Sequence, residues 1–165
     1  MYYSEIVDLD TTNCIGIGVS IFVSGCTHHC EGCFNKETWN FKNGTEFTNE
    51  TLQHLKELVS REYISCFSVL GGEPFEKQNK DTVLEIIKGV KEVKDLKVFI
   101  WSGYTYEVLV EDKVSKEILD LCDYLIDGEF ELDKRDLNLL LRGSSNQRII
   151  NLKATDKGSI VLDMV

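Results

Sequence analysis

Gly25-Cys26-Thr27-His28-His29-Cys30-Glu31-Gly32-Cys33-Phe34-Asn35 places three thiols within eight residues, directly after a hydrophobic run, Ile15 to Val23. That run is rich in β-formers and reads as a buried strand that delivers the chain into the cysteine loop. Its Gly16 and Gly18 form a lone G-x-G, a weak dinucleotide signal without a third glycine and a helix opening directly after it. A structural zinc site wants four ligands, and iron–sulfur clusters are held by four Cys in many proteins. A three-Cys loop therefore borrows a ligand or leaves one metal position open. Cys14, His28 or His29 can complete a tetrahedral zinc site. Alternatively, three thiolates hold three irons of a cubane 4Fe–4S cluster and leave the fourth iron to an exogenous ligand. His28 and His29 otherwise read as polar loop residues.

Outward from the loop, strands alternate with amphipathic helices. Glu37 to Thr48 reads as a connecting segment. Thr48 or Asn49 caps a helix with Leu52, Leu55, Leu58 and Val59 on one face. Ile64 to Leu70 is a strand ending at Gly71-Gly72, and a second helix carries Val83, Ile86, Ile87, Val90 and Val93, with Asn79 or Asp81 as cap. Leu96 to Trp101 is the next strand, ending at Ser102-Gly103. A weaker helix covers about Val114 to Cys122, and Asp123 to Asp127 is a strand ending at Gly128. Arg148 to Leu152 and Ile160 to Leu162 read as late strands around an Asp156-Lys157-Gly158 turn. The residues up to about Asn13 are polar and carry no clear pattern. This alternation predicts α/β architecture with a parallel sheet. The chain is too short for a closed eightfold barrel, which typically takes ~250 residues, so an open or partial (βα) barrel in a single domain, 1–165, is expected. The cysteine loop, Gly71-Gly72-Glu73, Ser102-Gly103-Tyr104 and Asp127-Gly128-Glu129 each follow a predicted strand, where parallel sheets and barrels place their ligands.

Composition narrows the class. The 165 residues are 42% hydrophobic and 28% charged, as in a soluble globular protein. No apolar run approaches the ~20 residues that span a bilayer, and Met1 to Glu5 lacks the features of a signal peptide. A cytoplasmic location, with no membrane partner, is expected. A net charge of −10 argues against a nucleic-acid partner. Six cysteines in such a chain suit metal or catalytic work better than a disulfide framework. Cys66 and Cys122 lie in predicted apolar elements and read as buried free thiols, and Cys14 reads as incidental.

Gly71-Gly72-Glu73-Pro74 is the second unusual stretch. Paired glycines let the backbone approach a ligand closely, and Pro74, the only proline, biases Glu73 toward an extended conformation. An acidic side chain and exposed carbonyls at a strand end suit an ammonium group. With C-x3-C-x2-C one βα unit earlier, the chain resembles the radical S-adenosylmethionine superfamily. It is more similar still to one branch, the anaerobic ribonucleotide reductase activating proteins. Gly25 to Asn35, Glu37-Thr38-Trp39-Asn40, Trp101-Ser102-Gly103-Tyr104-Thr105, Ile126-Asp127-Gly128-Glu129-Phe130 and Arg142-Gly143-Ser144-Ser145-Asn146-Gln147-Arg148 follow that branch in order. Asn13-Cys14-Ile15-Gly16-Ile17-Gly18 departs from the family's usual Asn-Gly-Pro-Gly-x-Arg, with Gly18 where the family usually has Arg and Cys14 in place of a glycine. Gly32 stands before the third cysteine where many superfamily members have an aromatic, though glycine is usual in this branch.

The resemblance implies that Cys26, Cys30 and Cys33 bind a 4Fe–4S cluster whose open iron is chelated by S-adenosylmethionine. It implies backbone contacts to the adenine at Gly32, Cys33 and Phe34, and reception of the methionyl ammonium at Gly71, Gly72 and Glu73. Ser102 and Asp127 become candidates for ribose or charge-balancing contacts. The implied activity is reductive cleavage of S-adenosylmethionine and formation of a glycyl radical on the reductase large subunit. A flavodoxin- or ferredoxin-like protein would be the electron donor. Trp39, Tyr104 and the Arg142–Arg148 stretch are candidates for the docking surface. The competing readings are an activase of another glycyl-radical enzyme, a small-molecule radical enzyme such as a deazapurine synthase, and a non-enzymatic zinc-binding module.

Overall fold

The computed structural model describes residues 1–156 and 158–163. Among them, seven strands form one mixed sheet: β1 Tyr2–Asp10, β2 Gly18–Val23, β3 Thr45–Glu46, β4 Cys66–Gly71, β5 Lys97–Ser102, β6 Tyr124–Asp127 and β7 Arg148–Asn151. Their spatial order is β3-β1-β2-β4-β5-β6-β7. Four helices accompany them: α1 Asn49–Val59, α2 Lys80–Val93, α3 Tyr106–Leu109 and α4 Lys113–Leu121. The central strands β2, β4, β5 and β6 are parallel. With Val23 opposite Gly71 and Ser102 opposite Asp127, their carboxyl ends share one edge.

The expected parallel sheet forms the centre, and at both margins β1, β3 and β7 add antiparallel pairs that make the sheet mixed. The opening residues, which show no clear pattern as sequence, form β1. Register shifts between Tyr3 and Glu5 and between Val7 and Asp10 break the two-residue alternation by which a strand is read. Ile160 to Leu162 forms no strand; Leu162 makes a single bridge to Ile150. Lys157, the centre of the expected turn, lies outside the described residues. No helix among the described residues is long and apolar enough to cross a membrane.

Alternation along the central strands divides the core. Val19, Ile21, Phe67, Val69, Val98 and Ile100 face the helices, packing with Leu55, Ile86, Val90 and Ile118. Cys14, Cys66, Phe99, Ile126 and Ile149 form a second cluster on the other face. Of the two candidate caps for α1, Thr48 is the one, in a reciprocal capping box with Thr51, an arrangement that satisfies two otherwise orphaned N–H groups. α4 is capped by Asp112, which accepts from Ser115 N–H. α3, a single turn, is too short to show helical periodicity in sequence.

Cys14 and Cys66 are joined by a disulfide, which corrects their reading as a bystander and a free thiol. The chain between β1 and β2 folds back across the inner sheet face, with the Ser68 hydroxyl donating to Asn13 O at 2.6 Å. Gly18 leaves the room: a Cβ there would meet both sulfurs, at 2.8 and 2.9 Å. A sequence separation of 52 residues hides this meeting. Cys122 remains free and buried, and burial pushes its thiol pKa up.

Buried Asp10 anchors the same crossing, accepting from Ser20 Oγ at 2.5 Å, Asn13 Nδ2 at 2.7 Å and Thr12 N–H at 2.8 Å. Burial opposes its charge, but these hydrogen bonds prevail and bring its pKa from 3.8 to about 2. A carboxylate with a depressed folded pKa stabilises above its unfolded pKa and loses that contribution as pH falls. Urea midpoints are therefore expected to fall between about pH 4 and about pH 2, and Asp10→Asn to make that fall shallower. An unchanged slope would exclude Asp10 as a contributor.

Candidate functional site

The four segments that follow the parallel strands meet at the shared edge around a cavity of about 450 Å³, within the ~300–1,000 Å³ of small-molecule sites. Its walls include Cys26, Cys30 and Cys33 after β2, Gly71 to Glu73 after β4, Ser102 and Gly103 after β5, and Gly128 and Glu129 after β6.

Backbone contacts stitch the two motifs together. Gly72 N–H donates to Val23 O and Glu73 N–H to Gly25 O, both at 2.8 Å. Gly25 has φ +103°, and a Cβ there would lie 2.1 Å from the Phe41 ring. Gly71 has φ +111°, and its Cβ would meet Val23 O at 2.7 Å. Only glycine combines that backbone with that closeness. Glu76 accepts from Thr27 N–H and Oγ1 at 2.9 and 2.7 Å. Asn79 donates to Ser24 O and Glu73 O, so its side chain braces the loop instead of capping α2. Asn79 holds the N-cap position of α2, one of the two residues expected there. Sequence reading missed Glu76 and the bracing role of the Asn79 side chain, for which two polar residues so soon after Gly71-Gly72-Glu73-Pro74 were the available signal.

The three thiols are free and partly exposed. Burial pushes Cys26 up to about 11 against the His28 and His29 N–H groups, with the Glu73 charge adding to the rise. Burial also raises Cys30, opposed by the Phe130 N–H. Loading metal here would release protons, since thiolates are the ligands. Among the described residues no three His, Cys, Asp or Glu side chains close on a single ion position. The candidate fourth zinc ligands stand elsewhere: Cys14 is bonded to Cys66, His28 lies between Glu73 and Glu129, and His29, stacked on Trp39 at 4.4 Å, is outside the cavity lining. Three thiols lining one cavity, with no fourth cysteine beside them among the described residues, fit a cluster that keeps one iron open.

Glu73 is 1% exposed and densely held. Oε1 accepts from Gly103 N–H at 2.7 Å and lies 2.8 Å from His28 Nε2; Oε2 accepts from Phe75 N–H at 3.0 Å; the Ser102 hydroxyl is 2.9 and 3.0 Å from the two oxygens. His28 Nδ1 faces Glu129 at 2.9 Å. Burial works against charge on this imidazole, but the bonds and charges of Glu73 and Glu129 hold its pKa at about 9. His28 packs edge-on against Tyr104 and lies so near Gly103 that a Cβ there would meet Nε2 at 2.6 Å. It is thus a built part of the cavity.

Asp127 is placed differently from the other strand-end residues. It is buried and outside the cavity lining, where its neighbours Gly128 and Glu129 stand. Its carboxylate accepts from Arg148 Nε at 2.9 Å, Arg148 Nη2 at 2.5 Å and Tyr106 N–H at 2.7 Å. Arg148 also grips Glu107, and that bond is the main cause of a Glu107 pKa of about 2. Arg148→Met leaves a buried carboxylate unpaired and is expected to destabilise by about 2–3 kcal/mol. Asp127→Asn in the same chain should restore part of the loss, a coupling readable from urea melts of the double-mutant cycle. A cost within experimental error would show the pair to be idle.

Cys33, Phe34 and Asn35 line the cavity, but Gly32 does not. Gly32, at φ +75°, lies under Leu132 and Phe130. Phe34 packs on Phe130 at 5.0 Å, with the Arg135 guanidinium 5.1 Å from its ring centre. Residues 128–147 thereby close against the cysteine loop. Within that segment Arg142 and Gly143 also line the cavity.

Such a cavity, with three thiols at the carboxyl edge of a parallel sheet, belongs to an iron–sulfur protein, and residues 12–150 match the family of 4Fe-4S single cluster domains. The chain is 39% identical over 155 residues to the anaerobic ribonucleoside-triphosphate reductase-activating protein of Pasteurella multocida (strain Pm70), covering 90% of this chain and 96% of the relative. Identity to the protein of that name from Enterobacteria phage T4 is 37% over 150 residues, 90% of this chain and 93% of the relative. For Escherichia coli (strain K12) it is 33% over 159 residues, 93% and 100%. The chain belongs to the family of anaerobic ribonucleoside-triphosphate reductase-activating proteins.

Proposed function

We propose that this chain is a radical S-adenosylmethionine activase that generates the glycyl radical of anaerobic ribonucleotide reductase. It would be a single-domain partial (βα) barrel of that superfamily, working in the cytoplasm with a flavodoxin- or ferredoxin-like donor and without nucleic acid or membrane. The observation that carries the reading is the convergence of three free thiols with Gly71, Gly72 and Glu73 on one cavity. Cys26, Cys30 and Cys33 hold the cluster. The bound cluster would pass one electron from the donor to S-adenosylmethionine, the chemistry that releases methionine and provides the hydrogen-abstracting equivalent for a reductase glycine.

The protein's own work is placement and exclusion of water. Gly71 and Gly72 bring backbone carbonyls to the methionyl ammonium, and Glu73 offers it a carboxylate. His28 Nε2 already lies 2.8 Å from Glu73 Oε1, so the ammonium would share that carboxylate with it. Ser102 and Gly103 hold Glu73 in place, so Ser102 acts by positioning it. Cys33 and Phe34 offer the cavity wall to the adenine. Asp127 sets the edge through Arg148 and α3, outside the cavity.

Anaerobic reconstitution, reduction, and addition of S-adenosylmethionine with the reductase should yield 5′-deoxyadenosine and a glycyl-radical EPR doublet on the large subunit. About one zinc and no acid-labile sulfide after anaerobic purification would overturn the reading in favour of a four-ligand structural site.

A further inference from the structure

Two arginines bound the Arg142–Arg148 stretch, and they are treated differently. Arg148 is matched by Asp127 and Glu107. Arg142 lines the cavity and has one hydrogen bond, from Nη1 to Gln147 O at 3.2 Å. Its Nε is buried without a partner. Among the described residues it makes no ion pair; the cavity carboxylates Glu73 and Glu129 are both held by His28. A guanidinium carries five donors in a fixed fork, and a buried donor left without an acceptor is costly. A planar carboxylate gripped by that fork removes the mismatch.

The arginine is also held in position. Leu141, just before it, has φ +62°, a conformation unfavourable for a non-glycine residue that persists only where its surroundings enforce it. Trp101 Nε1–H donates to Leu141 O at 2.8 Å. Gln147 Oε1 accepts from Gly143 and Ser144 N–H at 2.9 and 3.2 Å.

We propose that Arg142 is the cavity's carboxylate-holding residue, fixed by Trp101 and Gln147 for an anion the ligand brings. The inference rests on the activase reading above. That carboxylate comes either from the methionyl end of S-adenosylmethionine or from an acidic side chain of the reductase segment that enters the cavity.

Cluster-reconstituted wild type, Arg142→Gln and Arg142→Lys separate these sources. Equilibrium dialysis gives Kd for S-adenosylmethionine and for its decarboxylated form, and the EPR assay gives KM for the reductase. A charge-assisted pair is worth ~1.5–3 kcal/mol, so Arg142→Gln is expected to weaken its partner about tenfold or more. Arg142→Lys, which keeps the charge without the fork, should lose less. A rise in Kd for S-adenosylmethionine alone, with the decarboxylated form unaffected, assigns its carboxylate. Unchanged Kd values with a raised KM assign the reductase. Unchanged Kd and KM, or equal losses for both ligands, overturn the proposal, and cluster content of each variant shows that it has folded. Should Arg142→Gln fail to fold, Arg142→Lys decides by the same criteria. A wild-type protein that binds no S-adenosylmethionine and forms no radical removes the activase reading itself, and this inference with it.

Discussion

Cys30→Ala protein, reconstituted and reduced under anaerobic conditions, is expected to produce neither 5′-deoxyadenosine nor a glycyl radical. Cys30 lines the cavity with Cys26 and Cys33. Of the described residues that could replace it, Cys14 is in a disulfide, His28 is held by Glu73 and Glu129, and His29 lies outside the cavity lining. Two thiolates hold a cubane too weakly for reconstitution, so acid-labile sulfide should fall with the activity. Cys14→Ser is the matched control. It breaks the disulfide on the inner sheet face, removes no thiol from the cavity, and should leave cluster content unchanged. An active Cys30→Ala protein, or a Cys14→Ser protein without its cluster, would sink the assignment of Cys26, Cys30 and Cys33 as the ligand set.

Glu73→Ala should give the largest loss of stability. It strips the acceptor from Phe75 N–H, Gly103 N–H, the Ser102 hydroxyl and His28 together. Each buried donor left unmet costs about 1–3 kcal/mol, and partial rearrangement holds the total to about 4 kcal/mol. For a chain of this size that lowers Tm by about 10 °C. Glu73→Gln keeps one acceptor oxygen but turns an amide toward donors, so about half the loss is expected. Because Gln also lacks the charge, it should weaken S-adenosylmethionine binding beyond its effect on Tm. A Glu73→Ala protein that melts with the wild type would show the network to be dispensable for the fold.

Much of the scaffold was legible because burial imposes periodicity. The runs at Val19–Val23, Cys66–Leu70, Val98–Trp101 and Leu125–Asp127 sit in the middle of the sheet, and α1, α2 and α4 carry one apolar face each. Margins follow weaker rules. β1 is bulged and half exposed, so its alternation blurs. β7 returns antiparallel after a segment with no regular repeat. The meeting of Cys14 with Cys66 depends on a chain crossing that no local pattern encodes.

The site divides along the same line. Spacing within one loop is local information, so the three thiols, the paired glycines before Glu73 and their place after successive strands could be read directly from residue order. Side-chain pairing across strands is not local. Only the tertiary structure decided that His28 bridges Glu73 and Glu129, that Asp127 turns to Arg148 and stands outside the cavity lining, and that Arg142 lines it with its Nε unpartnered. Those outcomes depend on which polar groups lose water together when the strand ends close on one another, a competition set by three-dimensional proximity between residues up to a hundred positions apart.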